Sequence, residues 1–122
     1  LTLGVAHERY GVELEKQQEV IMNLSDITME VFAMESSLLR SNKLTTSGRS
    51  GSDLAICAVY LRDAIARVEG FSRTVLSACS EGDALRKHLG TVRSYANHMP
   101  VNSIALRRQI AARLLSSERY TV

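Results

Sequence analysis

Residues 54–79 read LAICAVYLRDAIARVEGFSRTVLSAC. Apolar or small residues recur at Leu54, Ala58, Leu61, Ile65, Val68, Ser72, Val75 and Cys79, in alternating steps of four and three. That spacing predicts a long amphipathic helix with a narrow seam turned toward partner helices. Gly70 is the one breaker inside it, and the chain's single proline is Pro100. The stretch therefore fixes the expected fold class as all-α.

Working outward, Val20, Leu24, Ile27, Val31, Met34 and Leu38 repeat the same steps, so a first helix is predicted from about Glu8 to Asn42. Gly11 weakens its first turns. Leu44–Ser52 is rich in Thr, Ser and Gly without apolar periodicity, and reads as a mobile loop. Ser52 or Asp53 is then placed to cap the second helix, which runs to about Ser80. Glu81-Gly82-Asp83 reads as a tight turn, with Gly82 free to take positive φ and Asp83 placed to cap a third helix, about Ala84–Asn97. Its inward residues are Leu85, Leu89 and Val92. Pro100 fixes a corner over His98–Val101, and Asn102 caps a fourth helix, about Ser103–Ser117. Short connections favour antiparallel neighbours. The expected architecture is one domain over residues 1–122, an antiparallel up-down-up-down four-helix bundle.

Composition bounds the function. The hydrophobic share is 45% and the aromatic share 5%, so an aliphatic core is expected. A net charge of +2 argues against a dedicated nucleic-acid binder. The charge is uneven. Glu8, Glu13, Glu15, Glu19, Asp26, Glu30 and Glu35 make the first helix acidic, whereas Arg107, Arg108 and Arg113 make the last one basic. The two are expected to attract each other. A basic face for phosphates or anionic lipid is the alternative. Asp26 borders the seam residue Ile27, so it is expected to pair with an arginine of a neighbouring helix. Cys57 and Cys79 share one predicted helix and lie about 33 Å apart, beyond disulfide reach, so free buried thiols and a reducing compartment are expected. No apolar run nears the length of a transmembrane helix, and no signal-peptide pattern is present. The chain opens at Leu1 and is expected to be a fragment of a longer protein, cut near its natural C-terminus.

Reactive constellations are missing from the pattern. His7, His88 and His98 are scattered, with no His or Cys pair at metal-ligand spacing. The Ser-Gly-Arg-Ser-Gly-Ser run at Ser47–Ser52 lacks the lysine and the preceding strand of a phosphate loop. Ser36 and Ser37 have no base at a readable offset, and Met22, Met29, Met34 and Met99 read as core filler. Catalytic, cofactor-binding and metal residues are therefore all expected to be none.

Several segments carry a resemblance. Tyr10-Gly11-Val12-Glu13-Leu14 precedes Glu15-Lys16-Gln17, Leu24-Ser25-Asp26-Ile27 and Val31-Phe32-Ala33-Met34-Glu35. Arg62-Asp63-Ala64-Ile65-Ala66-Arg67-Val68-Glu69-Gly70 and Pro100-Val101-Asn102 follow. Leu106-Arg107-Arg108-Gln109-Ile110-Ala111, Arg113-Leu114 and Arg119-Tyr120-Thr121-Val122 close the chain. Together these resemble the extra C-terminal helical domain of the very-long-chain branch of the acyl-CoA dehydrogenases, bacterial members in particular. The resemblance implies a parent flavoprotein that oxidises a fatty acyl-CoA to its trans-2-enoyl form in β-oxidation. There a glutamate base takes the α-proton, FAD accepts the β-hydride, and an electron-transfer flavoprotein takes the electrons. None of those residues matches a position here. The parent is thus implied to be an enzyme, while this chain alone is expected to be non-catalytic, to hold no cofactor and to play a structural or interaction role. Its implied partners are the rest of the parent chain and a homo-oligomer partner, with no nucleic acid. A membrane surface is a weaker candidate, because no amphipathic insertion with large apolar residues is present. A bacterial cytoplasmic location is implied, or the mitochondrial matrix for a eukaryotic chain. The competing readings are a free-standing helical protein-interaction module and a small nucleic-acid-binding bundle.

Overall fold

The computed structural model describes residues 1–48 and 52–118, the side chains of 52 and 53 excepted. Among these residues there are five α-helices, one 3-10 segment and no strand: α1 (Thr2–Tyr10), the 3-10 segment (Gly11–Lys16), α2 (Gln18–Thr46), α3 (Ser52–Cys79), α4 (Gly82–Ala96) and α5 (Ser103–Ser117). The all-helical expectation holds. The expected four helices become five, because the first divides.

Gly11 causes the division. It takes φ 52, a left-handed value that side chains disfavour, and its N–H donates to the His7 carbonyl to close α1. The following residues tighten into a 3-10 segment, pinned by the Lys16–Glu13 pair at 2.7 Å. The chain then re-enters an α-helix of 29 residues. That helix runs on through Thr46, so Lys43 and Leu44–Thr46 are helical where a C-terminus and a loop were expected. In its last turn the Thr45 and Thr46 hydroxyls donate to the carbonyls of Ser41 and Asn42. Ser47 and Gly48 form a turn, and the rest of the expected loop lies outside the described residues. So does the expected cap at Ser52 or Asp53.

Two other junctions follow the sequence closely. Gly82 takes φ 55 at the start of α4. Asp83, however, makes no cap; it sits inside the first turn and accepts from Arg86 at 3.0 Å, while Glu81 occupies the cap position. Asn102 caps α5 as expected, its Oδ1 accepting from the Ala105 amide at 3.0 Å.

The chain divides into two compact units, residues 1–31 with 65–98, and residues 32–64 with 99–122. In the first, Val5, Leu76 and Val92 form a buried cluster with Cys79, Leu85 and Leu89 against it. Ala6, Val20 and Val75 form a second cluster, joined by Tyr10, Leu14, Leu24 and Cys79. Here α1, α3 and α4 supply aliphatic faces that exclude water from one another. In the second unit the buried residues are small: Ser41, Ala55, Cys57, Ala64 and Ser103. Several of its large apolar side chains, among them Phe32, Leu38, Leu39, Leu54, Met99, Ile104 and Leu115, are exposed.

The seam on α3 is not the strict heptad. Leu54 is 50% exposed, and Leu61 and Ile65 are only half-buried. Along the seam burial is deepest further on, at Ser72 and Val75, so the C-terminal half of the predicted seam is core, and Leu76 joins it. A straight α-helix drifts by about 20° per heptad, which brings Leu76 onto the buried face beside Val75.

Candidate functional site

Polar side chains that join helices are the natural place to look for a site. Glu30 of α2 accepts from Arg67 of α3 in a two-pronged bond, Nε to Oε1 at 2.5 Å and Nη2 to Oε2 at 2.9 Å. A guanidinium fork matched to a carboxylate in this way fixes orientation as well as charge. Asp63 of α3 accepts from Arg62 Nη1 at 2.7 Å and from Nη2 of Arg107 on α5. The Arg62 bond, then that of Arg107, holds the Asp63 carboxyl below the usual aspartate range. These pairs lock helices together. A carboxylate already charged and doubly bonded to arginines is a poor proton acceptor.

The expected partnership of the acidic first helix with the basic last one is therefore corrected. The acids that pair are Glu30, with α3, and Asp63, which lies on α3 and pairs with α5. Asp26 is half-buried and has no hydrogen bond or ion pair among the described residues. Glu30 stands one turn further along, where Arg67 can reach it. Arg108 and Arg113 are exposed, as a solvated face requires.

A shallow groove of about 230 Å³ lies at the end of α3, lined by Arg9, Ala78, Cys79, Ser80 and Glu81. The Tyr10 hydroxyl donates to the Ala78 carbonyl at 3.2 Å, tying the end of α1 to the end of α3. Ser80 Oγ and His88 Nδ1 are 3.2 Å apart, a nucleophile and a base within reach of each other. Among the described residues no third group is within hydrogen-bond distance of the His88 ring to orient it, and Ser80 also lies at the α3 terminus, its amide donating to the Leu76 carbonyl. The contact joins the end of α3 to α4. Burial pushes the Cys79 thiol up, outweighing the pull of Arg9 and a bond with Tyr10, so it stays protonated and unreactive at neutral pH. Cys57 and Cys79 are both free; Cys57 is buried as expected, and Cys79 only partly.

His7 and His98 are exposed, and no group of three metal-ligating side chains gathers among the described residues. No described helix is long and apolar enough to cross a membrane. Met22, Met29 and Met99 are exposed where core filler was expected. The two interhelical arginine pairs were not foreseen, although Asp63 and Arg67, four apart on one helix face, offered a signal for them.

The model of the family described as acyl-CoA dehydrogenase, C-terminal domain, matches residues 1–94. A probable acyl-CoA dehydrogenase of Bacillus subtilis (strain 168) is 32% identical over 122 residues, covering 98% of this chain and 20% of that protein. The crystal structure of an acyl-CoA dehydrogenase complexed with FAD from Bacillus anthracis superposes with a TM-score of 0.94 at 35% identity. The match covers 99% of this chain and 22% of that one, so the chain spans about a fifth of the length of these relatives.

Proposed function

The chain belongs to the acyl-CoA dehydrogenase C-terminal domain family, and from that premise we propose that it is the accessory helical domain of an FAD-dependent acyl-CoA dehydrogenase, serving packing and assembly rather than chemistry. The observation that carries this is the superposition of nearly the whole chain onto about a fifth of an FAD-complexed relative. The polar groups support it: the arginine–carboxylate forks and the Ser80–His88 pair join helix to helix. The two-residue connection between α3 and α4, and the short corner before α5, support an antiparallel up-down-up-down packing of α2 to α5.

The groove at Cys79 does not fit a flavin. Sites that enclose a drug-sized ligand run to about 300–1,000 Å³, and this one is smaller, open and lined by Arg9, Ala78, Cys79, Ser80 and Glu81. We therefore assign no step of flavin chemistry to these residues. The parent would bind FAD and acyl-CoA through segments beyond this chain and pass electrons to an electron-transfer flavoprotein. A cytoplasmic location for a bacterial parent is part of this proposal.

The test compares the 122-residue chain with the product of the complete reading frame that carries it. The longer product should show flavin absorbance and dehydrogenate palmitoyl-CoA, and the chain alone should do neither. Flavin and turnover in the chain alone would overturn the accessory role. A longer product with no flavin would favour a free-standing interaction module.

A further inference from the structure

Two helices of equal length are held in different ways. α4 and α5 have 15 residues each. α4 lies in the first unit and is anchored by apolar packing: Val92 is buried with Val5 and Leu76, and Leu85 and Leu89 pack against the same cluster. α5 lies in the second unit, and Ser103, in its first turn, is its one buried residue among those described. Leu106 and Ile110 are half-buried, and Ile104, Leu114 and Leu115 are exposed. No large side chain of α5 is therefore locked into a core.

What ties α5 to its neighbour is charge. Arg107 donates through Nη2 to Oδ2 of Asp63 on α3, in the same unit. Asp63 Oδ1 accepts from Arg62 at 2.7 Å, a bond within α3 that orients the carboxylate without help from α5. Among the described residues Arg107 is the one residue of α5 in an ion pair. Arg107 is exposed and Asp63 half-buried, so water and salt reach the contact. Once detached, α5 has little to sustain it. Its length is that at which an isolated helix is marginal in water. Its first turn holds no acid and its last turn no base to complement the helix dipole. Its C-cap, Glu118, takes φ 50, a left-handed value that side chains disfavour.

We propose that α5 is a detachable arm, latched to α3 by Arg107 on Asp63, which opens and recloses while the rest of the chain stays folded, and opens more as salt rises. This goes beyond the accessory role proposed above and does not depend on it. Half-buried contacts and one screened ion pair set the cost of opening, which places α5 at the low end of local stability. α4, with its apolar anchors, stays closed.

The test is native-state hydrogen–deuterium exchange of the 122-residue chain at fixed pH, read by mass spectrometry. The amides of α5 should exchange about tenfold faster than those of α4, or more. Asp63→Asn should speed α5 a further two- to fivefold, roughly, and leave α4 unchanged. Raising salt from about 50 mM to about 1 M should speed α5 by a similar factor in the wild type and by little in the variant. Arg108→Gln, at an exposed arginine outside any ion pair among the described residues, should change neither helix. The proposal is overturned if α5 exchanges in step with α4, if Asp63→Asn leaves α5 as it was, or if salt acts as strongly on the variant as on the wild type. It is overturned equally if Arg108→Gln speeds α5 as much as Asp63→Asn, since loss of any charge would then suffice.

Discussion

Leu76→Ala tests the packing most directly. Leu76 is fully buried, with 0% exposure, and it packs between Val5 of α1 and Val92 of α4, with Leu85 and Leu89 close by. Truncation removes three carbons, worth about 2.4 kcal/mol at roughly 0.8 kcal/mol each. The surrounding side chains come from three helices, so the hole cannot close without moving whole elements. The cavity then brings the total to about 3–5 kcal/mol. Against a total stability of about 5–15 kcal/mol for a domain, that is a large fraction. The assay is urea unfolding followed by circular dichroism at constant slope, with Leu61→Ala as the comparison. Leu61 is half-buried, so its truncation should cost about 1–2 kcal/mol. A Leu76→Ala cost below about 1 kcal/mol, or one smaller than that of Leu61→Ala, would refute the assignment of the core to the Leu76 end of α3.

Three further outcomes follow from the structure. Gly11→Ala should destabilise by about 1–2 kcal/mol through backbone strain alone, because φ is 52 and nothing lies within 4 Å of the added carbon; an unchanged urea midpoint would contradict the α1 terminus described above. Ser41→Ala should be neutral or stabilising by up to about 1 kcal/mol, since the buried Ser41 hydroxyl has no hydrogen-bond partner; a loss above about 1 kcal/mol in thermal melts would mean a partner was missed. Asp63 has a folded-state pKa below its ordinary value of 3.8, so its contribution is full above that pH and fades as pH falls through the folded value. Asp63→Asn should therefore flatten the acid limb of the stability profile and leave its shape above about pH 6 unaltered; an acid limb of unchanged slope would refute the pairing.

Local signals were the legible ones. Periodicity alone gave long helices at α2 and α3, because apolar spacing and the lack of breakers act within one turn. Asn102 announced the start of α5, since a cap needs only a side chain and an amide three residues on. Gly82 announced a positive φ for the same local reason. Gly11 was visible as a weak point, but that it ends α1 is decided by the burial of Val5 and Ala6 against α3 and α4, which re-aims the chain.

Distances across helices were decided by tertiary structure. Asp26 and Glu30 are both acids of α2, about one turn apart; only the height at which α3 presents Arg67 selects Glu30. Leu61 and Val75 are equivalent in the heptad count; only the arrival of α1, α2 and α4 at the far end of α3 buries Val75 and, beside it, Leu76. Met22, Ser25, Met29, Phe32, Ser36 and Leu39 are spaced in the same steps of three and four as the predicted seam of α2, and all six are exposed; spacing alone does not say which face is covered. By itself the sequence determined that the chain is helical, where its breaks and caps fall and which family it resembles, because those depend on neighbours along the chain. The tertiary structure decided which face is core, which acids are clamped and which apolar stripe is left open, because those depend on what stands opposite.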